Sequence, residues 1–194
     1  MLNSIQNSFF RTLFATCSGC PIPAFYWDTG TLMAENYVIL KKLLFFHHLS
    51  LLPDDALAKE IFDLQRENCL PGYVSECDDI LNGLEIGDPR FYSKNQWKKL
   101  VKEKVHDKNK SDLLNMVKTY KKLDYDQLKE EDYGLKSYLK NMNMNQARTC
   151  FAVRSKTLRT VQMNFKNKPE YMYNLWKCIC GDDDDQTHLN HCKS

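Results

Sequence analysis

The sequence contains few glycines and prolines and no unbroken hydrophobic run of membrane-spanning length. Its 194 residues include only 7 Gly and 6 Pro, which argues against an all-β or low-complexity chain. Lys41-Lys42 and His47-His48 interrupt the longest apolar stretch, Tyr37 to Leu52, so it cannot cross a hydrocarbon core of about 30 Å. Arg11 interrupts the apolar N-terminal residues and no basic segment precedes them, so no signal peptide is expected.

Motifs of several enzyme classes are also missing. The chain has no P-loop, no Gly-x-Ser-x-Gly motif and no zinc-deaminase signature. Asp78-Asp79 is a pair of carboxylates of the kind that holds Mg²⁺ in polymerases. The Tyr-x-Asp-Asp setting of a reverse transcriptase is absent, however, and acids are favoured near a helix start in any case. We therefore expect a protein that is not an enzyme.

The eight cysteines do not follow the pattern of a disulfide framework. They are scattered singly except at Cys17/Cys20 and in the tail, which favours a reducing, intracellular compartment, nuclear or cytoplasmic. Cys17-x-x-Cys20 is also compatible with half a zinc site or a redox pair. No second ligand pair and no βαβ pattern accompany it, so two incidental loop thiols are the better interpretation.

The strongest chemical signal lies in the tail. Cys178, Cys180, His188 and Cys192 supply four donors within fifteen residues, and Zn²⁺ prefers such thiolates and imidazoles in a closed tetrahedral set. His188 and Cys192 are four residues apart, so one helical turn places both side chains on one face. We predict a small C-terminal zinc knuckle.

The first half of this knuckle fits less well. On an extended strand Cys178 and Cys180 would lie roughly 6–7 Å apart, so a turn at Gly181 is needed to bring both to one metal. The alternative is a pair of reduced, partly buried cysteines beside an acidic loop. His191 is an alternative ligand, although it faces away if the helical pair binds together.

The net charge of +2 conceals a strong segregation. Residues 94–168 carry 19 basic and 8 acidic side chains, whereas residues 1–93 carry 6 and 12, and residues 169–194 carry 2 and 5. Basic charge concentrated in the middle of the chain suggests a polyanion partner. A solvated, lysine-rich helix face is the alternative.

The segment 146–168 mixes cations with aromatic rings. This mixture lets guanidinium and ammonium groups meet phosphates while rings stack on bases. The cations that we assign to nucleic-acid binding are Arg148, Arg154, Lys156, Arg159, Lys166 and Lys168. In the alternative interpretation Phe151, Leu158, Val161 and Phe165 dock on the core and the basic residues face water.

Hydrophobic spacings predict an irregular helical domain before this segment. The expected helices cover residues 3–16, about 31–52, a helix after Pro53-Asp54-Asp55 that ends near Asn68, 74–84 and 133–142. Ser93-Lys-Asn-Gln96 is a capping box that opens a long helix, which we expect to break near 109–112. The expected apolar face of the first helix is formed by Ile5, Phe9, Leu13 and Phe14, and that of the third by Leu57, Ile61, Phe62 and Leu64.

The run from Phe151 to Lys166, Phe-Ala-Val-Arg-Ser-Lys-Thr-Leu-Arg-Thr-Val-Gln-Met-Asn-Phe-Lys, followed by the tail ligands, resembles the C-terminal region of non-LTR (LINE-like) retrotransposon reverse transcriptases. In that family an arginine-bearing helix and Asn-Phe-Lys precede a Cys/Cys/His/Cys knuckle. Residues 21–30, 41–49 and 54–65 look like the family's stretch between polymerase and knuckle. The family more often has two residues between the first cysteines, where this chain has one.

The resemblance implies a nucleic-acid-binding accessory region that handles RNA and DNA during target-primed reverse transcription. The polymerase and endonuclease parts are absent from the sequence, so the chain looks like a fragment or truncated derivative, and the missing polymerase part is an expected partner. Its expected organisation is a helical connector (1–145), a basic segment (146–168) and a zinc knuckle (169–194).

The charge of the tail restricts this implication. Three thiolates on Zn²⁺ leave a net charge of −1, and Asp182 to Asp185 add four negative charges beside it, so phosphates are repelled there. We expect the zinc to act as a structural staple while the basic segment binds. The alternative function is a zinc-stapled helical protein-interaction module without catalytic activity.

Overall fold

A computed structural model describes residues 2–16, 19–119, 133–155 and 157. These residues are mainly helical and include no strand, which confirms the mainly α fold class. No helix in the described ranges is long and apolar enough to span a membrane. In chain order the elements are α1 (Leu2–Leu13), α2 (Ile22–Thr29), α3 (Ala34–Ser50), α4 (Leu57–Glu67), α5 (Tyr73–Gly83), a 3₁₀ turn (Pro89–Phe91), α6 (Lys94–Thr119), α7 (Ser137–Asn141) and α8 (Met144–Arg154).

The chain divides into two compact units. The first contains the residues up to Gln6 together with Thr31–Met116, and the second contains Asn7–Gly30 together with the described residues from Val117 onward. The predicted boundary between residues 145 and 146 falls inside α8.

The core of the first unit is organised along α6. Side chains spaced four residues apart on a helix lie close to one line, and Trp97, Val101 and Val105 follow this spacing with at most 1% of their surface exposed. The indole Nε1 of Trp97 donates a hydrogen bond to the Leu43 carbonyl oxygen at 3.0 Å, which satisfies its buried N–H group. The other fully enclosed members of this core are Leu43, Phe46, Phe62, Val74, Cys77 and Leu81.

Helix α6 begins as the sequence predicts but does not break in its middle. The Ser93 backbone N–H donates to Gln96 Oε1 at 3.0 Å, as expected for a capping box. The expected break at Asn109 is wrong, because this side chain is fully buried and its Oδ1 accepts hydrogen bonds from the Met33 backbone N–H (2.9 Å) and from Asn36 Nδ2 (3.0 Å). The polar residue that suggested a break therefore satisfies the buried backbone N–H of Met33, the residue that precedes α3.

Two of the predicted buried faces are wrong in part, although Phe14 of the first is buried as predicted. Ile5 and Phe9 of α1 are 62% and 61% exposed, and on α4 Leu57 is 70% exposed. Phe62 is buried as predicted, and the second buried residue of α4 is Lys59. Pro53-Asp54-Asp55, which the sequence suggests as the capping signal of this helix, does not cap α4, because the residue that precedes the helix is Ala56 and no described side chain caps it.

Helix α2, in the second unit, is not among the predicted helices, because the prolines of residues 17–23 favour a loop there. The prolines stand at its start, where a missing N–H costs nothing, and its apolar residues Phe25, Tyr26 and Trp27 are fully buried. The helix ends at Gly30 with φ +65°. A Cβ on Gly30 would lie 2.9 Å from the Gly134 Cα atom, so this close approach requires glycine as much as the left-handed conformation does.

Candidate nucleic-acid interface

Helix α8 carries the described part of the predicted nucleic-acid-binding segment. Asn143 Oδ1 accepts a hydrogen bond from the Gln146 backbone N–H at 3.0 Å, and Gln146 Oε1 accepts one from the Asn143 N–H at 3.3 Å. This reciprocal cap satisfies two N–H groups at the helix start. It thereby fixes the beginning of the helix that presents Arg148, Phe151 and Arg154.

Phe151 lies in an aromatic cluster of the second unit. Its ring stacks on Phe14 with centroids 4.2 Å apart and on Phe25 with centroids 5.0 Å apart and planes 12° apart. The side chain is completely buried, so no face of the ring is open to a base. For Phe151 the structure favours docking on the core over base stacking.

Arg148 is attached to the end of α1. Its Nε donates a hydrogen bond of 2.8 Å to the Leu13 carbonyl oxygen. The last carbonyls of a helix have no partner within the helix and carry the negative end of its dipole. The guanidinium of Arg148 therefore caps α1 and joins it to α8.

Arg154 pairs with Asp28, which belongs to α2. Arg154 Nε donates to Asp28 Oδ2 at 2.9 Å, and Nη2 donates to Oδ1 at 3.2 Å. The Asp28 side chain is only 4% exposed, whereas that of Arg154 is 39% exposed. A carboxylate this deeply buried needs a charged or hydrogen-bonded partner, and the two-pronged arginine supplies both.

A third group completes the surroundings of Asp28. The Tyr138 hydroxyl donates to Asp28 Oδ2 at 2.7 Å. Burial raises the pKa of Tyr138, and the neighbouring Asp28 charge raises it further, so the hydroxyl keeps its proton and acts as a donor. The Lys136 backbone N–H donates to the Asp28 carbonyl oxygen at 2.9 Å. One buried acid thus connects α2, the residues before α7, α7 itself and α8.

Asp28 was missed because it belongs to a helix that was not predicted. A signal existed in the sequence, since Asp28 is the only charged residue in the otherwise apolar stretch from Cys20 to Leu32. An isolated acid in a fully apolar setting is either exposed or paired. The sequence around Arg154, 126 residues later, does not indicate that this arginine pairs with Asp28.

The remaining predicted site residues lie outside the described residues. They are the cations Lys156, Arg159, Lys166 and Lys168 and the metal ligands Cys178, Cys180, His188 and Cys192. Within the described ranges, no group of three or more His, Cys, Asp or Glu side chains could hold a metal ion.

One member of the histidine pair, His47, and one of the paired aspartates, Asp78, occupy structural positions. His47 is buried, stacks on Trp97 with centroids 5.2 Å apart and contacts the Tyr92 carbonyl oxygen through Nε2 at 3.0 Å. His47 is therefore a core histidine whose ring nitrogen has a polar partner. Asp78 contacts Arg66 at 3.5 Å, and burial raises its pKa, whereas Asp79 is exposed.

The first unit also contains an open cleft of about 590 Å³ beside α5 and α6. Its charged lining includes Lys108 and Asp112, which pair with each other at 3.0 Å. Glu85 contributes a further acid to this lining. Charges of both signs therefore occupy its wall, which does not present one sign of potential to a ligand.

The described fold defines a mainly helical protein of two units in which α8 is held by buried aromatic and ionic contacts. Comparisons with protein-family models, curated proteins and solved structures find no match to the chain.

Proposed function

We propose that the chain is a nucleic-acid-binding, non-catalytic part of a non-LTR retrotransposon reverse transcriptase, acting inside the cell on RNA or DNA. The observation that carries the proposal is the run from Phe151 to Lys166 followed by the Cys/Cys/His/Cys set of the tail. The polymerase part of the same element is the proposed protein partner. The mainly helical fold is compatible with a connector that positions such a segment.

The contacts of α8 divide the proposed binding residues into two groups. Arg148 and Arg154 donate to protein acceptors, so their first role is to hold α8 in the second unit. Lys156, Arg159, Lys166 and Lys168 follow α8 in the chain and supply the charges for phosphates. Each neutralised phosphate releases counterions, so this binding weakens as salt concentration rises.

The tail donors fit zinc by their chemistry. Cys178, Cys180, His188 and Cys192 offer three thiolates and one imidazole, the set that structural zinc sites use. Four protein ligands leave no open position for a water nucleophile, and the acidic run beside them repels phosphate. In the proposal the metal therefore stabilises the tail and takes no part in a reaction.

Zinc content and RNA binding test this proposal together. We expect one zinc per chain in the purified protein, loss of that zinc in Cys192→Ser, and RNA affinity that falls steeply with salt. Cys69→Ser is the control, because Cys69 is an exposed cysteine outside the proposed set, and it should keep both properties. Absence of zinc from the unmodified protein would remove the knuckle from the proposal.

A triple variant tests the binding segment itself. Replacing Arg159, Lys166 and Lys168 with alanine removes three charges, and each phosphate contact to a single strand contributes about 0.7 to the slope of log affinity against log salt. We expect the slope to fall by about 2. An unchanged affinity and slope would contradict the assignment of phosphates to this segment.

The alternative function, a zinc-stapled protein-interaction module, is favoured by one feature of α4. Leu57, Ile61 and Leu64 share one face of that helix and are 70%, 48% and 50% exposed. Clustered exposed apolar side chains are typical of protein interaction sites. This alternative predicts no steep salt dependence toward RNA, so the titration above separates the two functions.

A further inference from the structure

The beginning of α6 carries four exposed lysines, Lys94, Lys98, Lys99 and Lys102, which we name the α6 lysine patch. Lys94, Lys98 and Lys102 are spaced by four and lie within about 80° around the helix, rising about 6 Å from one to the next. Lys99 and Lys102 are three residues apart, so they are neighbours on the helix surface. The first acid of the helix is Glu103, so the patch contains no acidic side chain.

The α6 lysine patch is unfavourable for the helix itself. Cations near a helix start oppose the positive end of its dipole, and no acid stands in the first turn of α6. Like charges four residues apart also repel each other. None of these lysines forms an ion pair with any residue in the described ranges. Glu103, four residues after Lys99, offsets part of this repulsion. The remaining positive charge is still unfavourable for the start of the helix, and a local rule broken in this way is a mark of functional surfaces.

An exposed aromatic ring precedes the patch. Phe91 is 85% exposed, the largest exposed fraction among the large apolar side chains that the structure describes. It lies in the 3₁₀ turn directly before α6, where Asp88 caps the turn by accepting from the Arg90 backbone N–H at 2.9 Å. Arg90 also holds the same carboxylate with its guanidinium, at 2.8 Å from Nη2 to Oδ2. The turn that projects Phe91 is therefore built by specific contacts.

We propose that Phe91 and the α6 lysine patch form a surface for single-stranded nucleic acid. The ring of Phe91 stacks on a base, and the lysines contact successive phosphates along the helix. A row of exposed cations and an exposed ring that precedes it closely in the chain are the two elements that single-strand binding surfaces combine. The ligand class rests on the proposed function, but the residues are different and belong to the first unit.

The partner is a nucleic acid rather than an acidic protein because of Phe91. An acidic peptide would need only the charges of the lysines, whereas a base offers the flat surface that a ring exposed beside them can cover. The row spacing of about 6 Å between lysines four residues apart is also of the order of the distance between successive phosphates in an extended strand.

The test compares two matched charge variants of the full chain. In the patch variant Lys98, Lys99 and Lys102 become glutamine; in the control Lys41, Lys118 and Lys140, which are exposed elsewhere, become glutamine. The probe is a fluorescein-labelled single-stranded oligouridylate, titrated at low and at physiological salt. We expect the patch variant to lose at least tenfold in affinity and about 2 in salt slope, and the control to stay within twofold.

Two variants of Phe91 test the ring. Phe91→Leu keeps an apolar side chain but removes the aromatic face, and we expect about a tenfold loss of affinity, as for one stacked base. Phe91→Tyr retains the face and should restore binding. The position is almost fully exposed, so neither variant endangers folding, which a thermal unfolding curve checks.

The outcomes separate this inference from the proposed function. A patch variant that matches the control, or a Phe91→Leu variant that binds like the unmodified protein, overturns the inference. If the triple variant at Arg159, Lys166 and Lys168 then still loses binding, the proposed function stands without the patch. If the unmodified chain binds neither RNA nor DNA, both fail. Competition by polyglutamate as strong as by RNA would identify an acidic protein partner and overturn the inference as well.

Discussion

Helices α6 and α8 are both basic, but they use their cations in opposite ways. In the first turns of α6 the lysines are exposed and pair with no acid of the described residues, while the fixed contacts of that helix come from Trp97 and Asn109. In α8 the two arginines donate to protein acceptors at the end of α1 and on α2. The positive charges of α8 therefore support its position in the second unit.

The difference follows from the chemistry of the two side chains. Arginine has a planar fork of donors that can hold a carboxylate with two bonds at once, as Arg154 holds Asp28. Lysine is a strongly hydrated point charge on a flexible stem, which suits an exposed position and a mobile polyanion. Counting cations along a sequence consequently does not separate those that bind a partner from those that hold the fold.

The largest expected effect on the free energy of unfolding comes from removing the ring of Phe151 in α8. Phe151→Ala should lower the free energy of unfolding by about 4 kcal/mol, because the side chain is completely buried and leaves a cavity. Val153→Ala, two residues away and 43% exposed, is the control and should cost less than about 0.5 kcal/mol. Urea unfolding measures both. Similar stability for the two variants would show that α8 is not packed as described.

The next largest effect concerns the ionic contact of α8. Among the described residues, Arg154→Ala leaves the buried Asp28 carboxylate with Tyr138 as its side-chain donor, and breaking a buried pair costs about 3–5 kcal/mol. We expect about 2–3 kcal/mol here, since the Arg154 side chain is 39% exposed. The double variant Asp28→Asn with Arg154→Ala should cost less than the sum of the single changes. Additive costs in urea unfolding would mean that the two residues do not interact.

In α6, the buried polar contact that can be compared with the Arg154–Asp28 pair of α8 is made by the side-chain amide of Asn109. Asn109→Ala removes the acceptor of the Met33 backbone N–H, and a buried donor without a partner costs about 1–3 kcal/mol. We expect a loss of about 2 kcal/mol in urea unfolding. Asn95→Ala on the exposed side of the same helix should leave the stability within about 0.5 kcal/mol. Equal effects at the two positions would contradict the buried network.

Caps and helix positions could be predicted from the sequence more accurately than which face of each helix is buried. The capping box at Ser93 and the helix after Gly72 follow from short-range rules, and both occur. Periodicity identified α4 but placed Leu57 in the core, because the period reports that a helix has an apolar face and not what covers it.

The break expected at Asn109 and the missed helix α2 have one common cause. In both cases, contacts between residues far apart in the sequence decide whether a helix tolerates a polar residue or a proline. For the candidate interface, the sequence identified the basic character of α8. It could not identify Asp28 as the partner of Arg154, because the pairing spans 126 residues and requires the tertiary fold. The exposure of Phe91 was likewise invisible to hydropathy, since the same residue type fills both cores.

A smaller effect is expected where α8 caps α1. Arg148→Ala removes the hydrogen bond to the Leu13 carbonyl oxygen, and a charged cap at a helix end contributes about 0.3–1 kcal/mol. We expect a loss near the upper end of that range, because the bond is 2.8 Å long and part-buried. Arg148→Lys should recover part of the loss, and Lys140→Ala, an exposed lysine, serves as the control. Urea unfolding of the three variants distinguishes a cap from a merely exposed cation.

The smallest expected effect on stability concerns Asp88 in the turn before α6, and it depends on pH. Hydrogen bonds from Arg90 lower the pKa of Asp88 to about 2, below the value of about 3.9 in an unfolded chain. A lowered pKa contributes stability that is fully present above pH 4 and is lost as the pH falls toward 2. Because the Arg90 side chain is 58% exposed, we expect this contribution to be only about 1 kcal/mol.

The difference in unfolding free energy between the unmodified chain and Asp88→Asn should therefore shrink from about 1 kcal/mol at neutral pH to nearly zero at pH 2. Asp54→Asn, at an exposed position, is the control for the change in net charge. A difference that persists at pH 2, where the carboxyl is largely protonated, would show that the charge of Asp88 does not account for its contribution to the turn that projects Phe91.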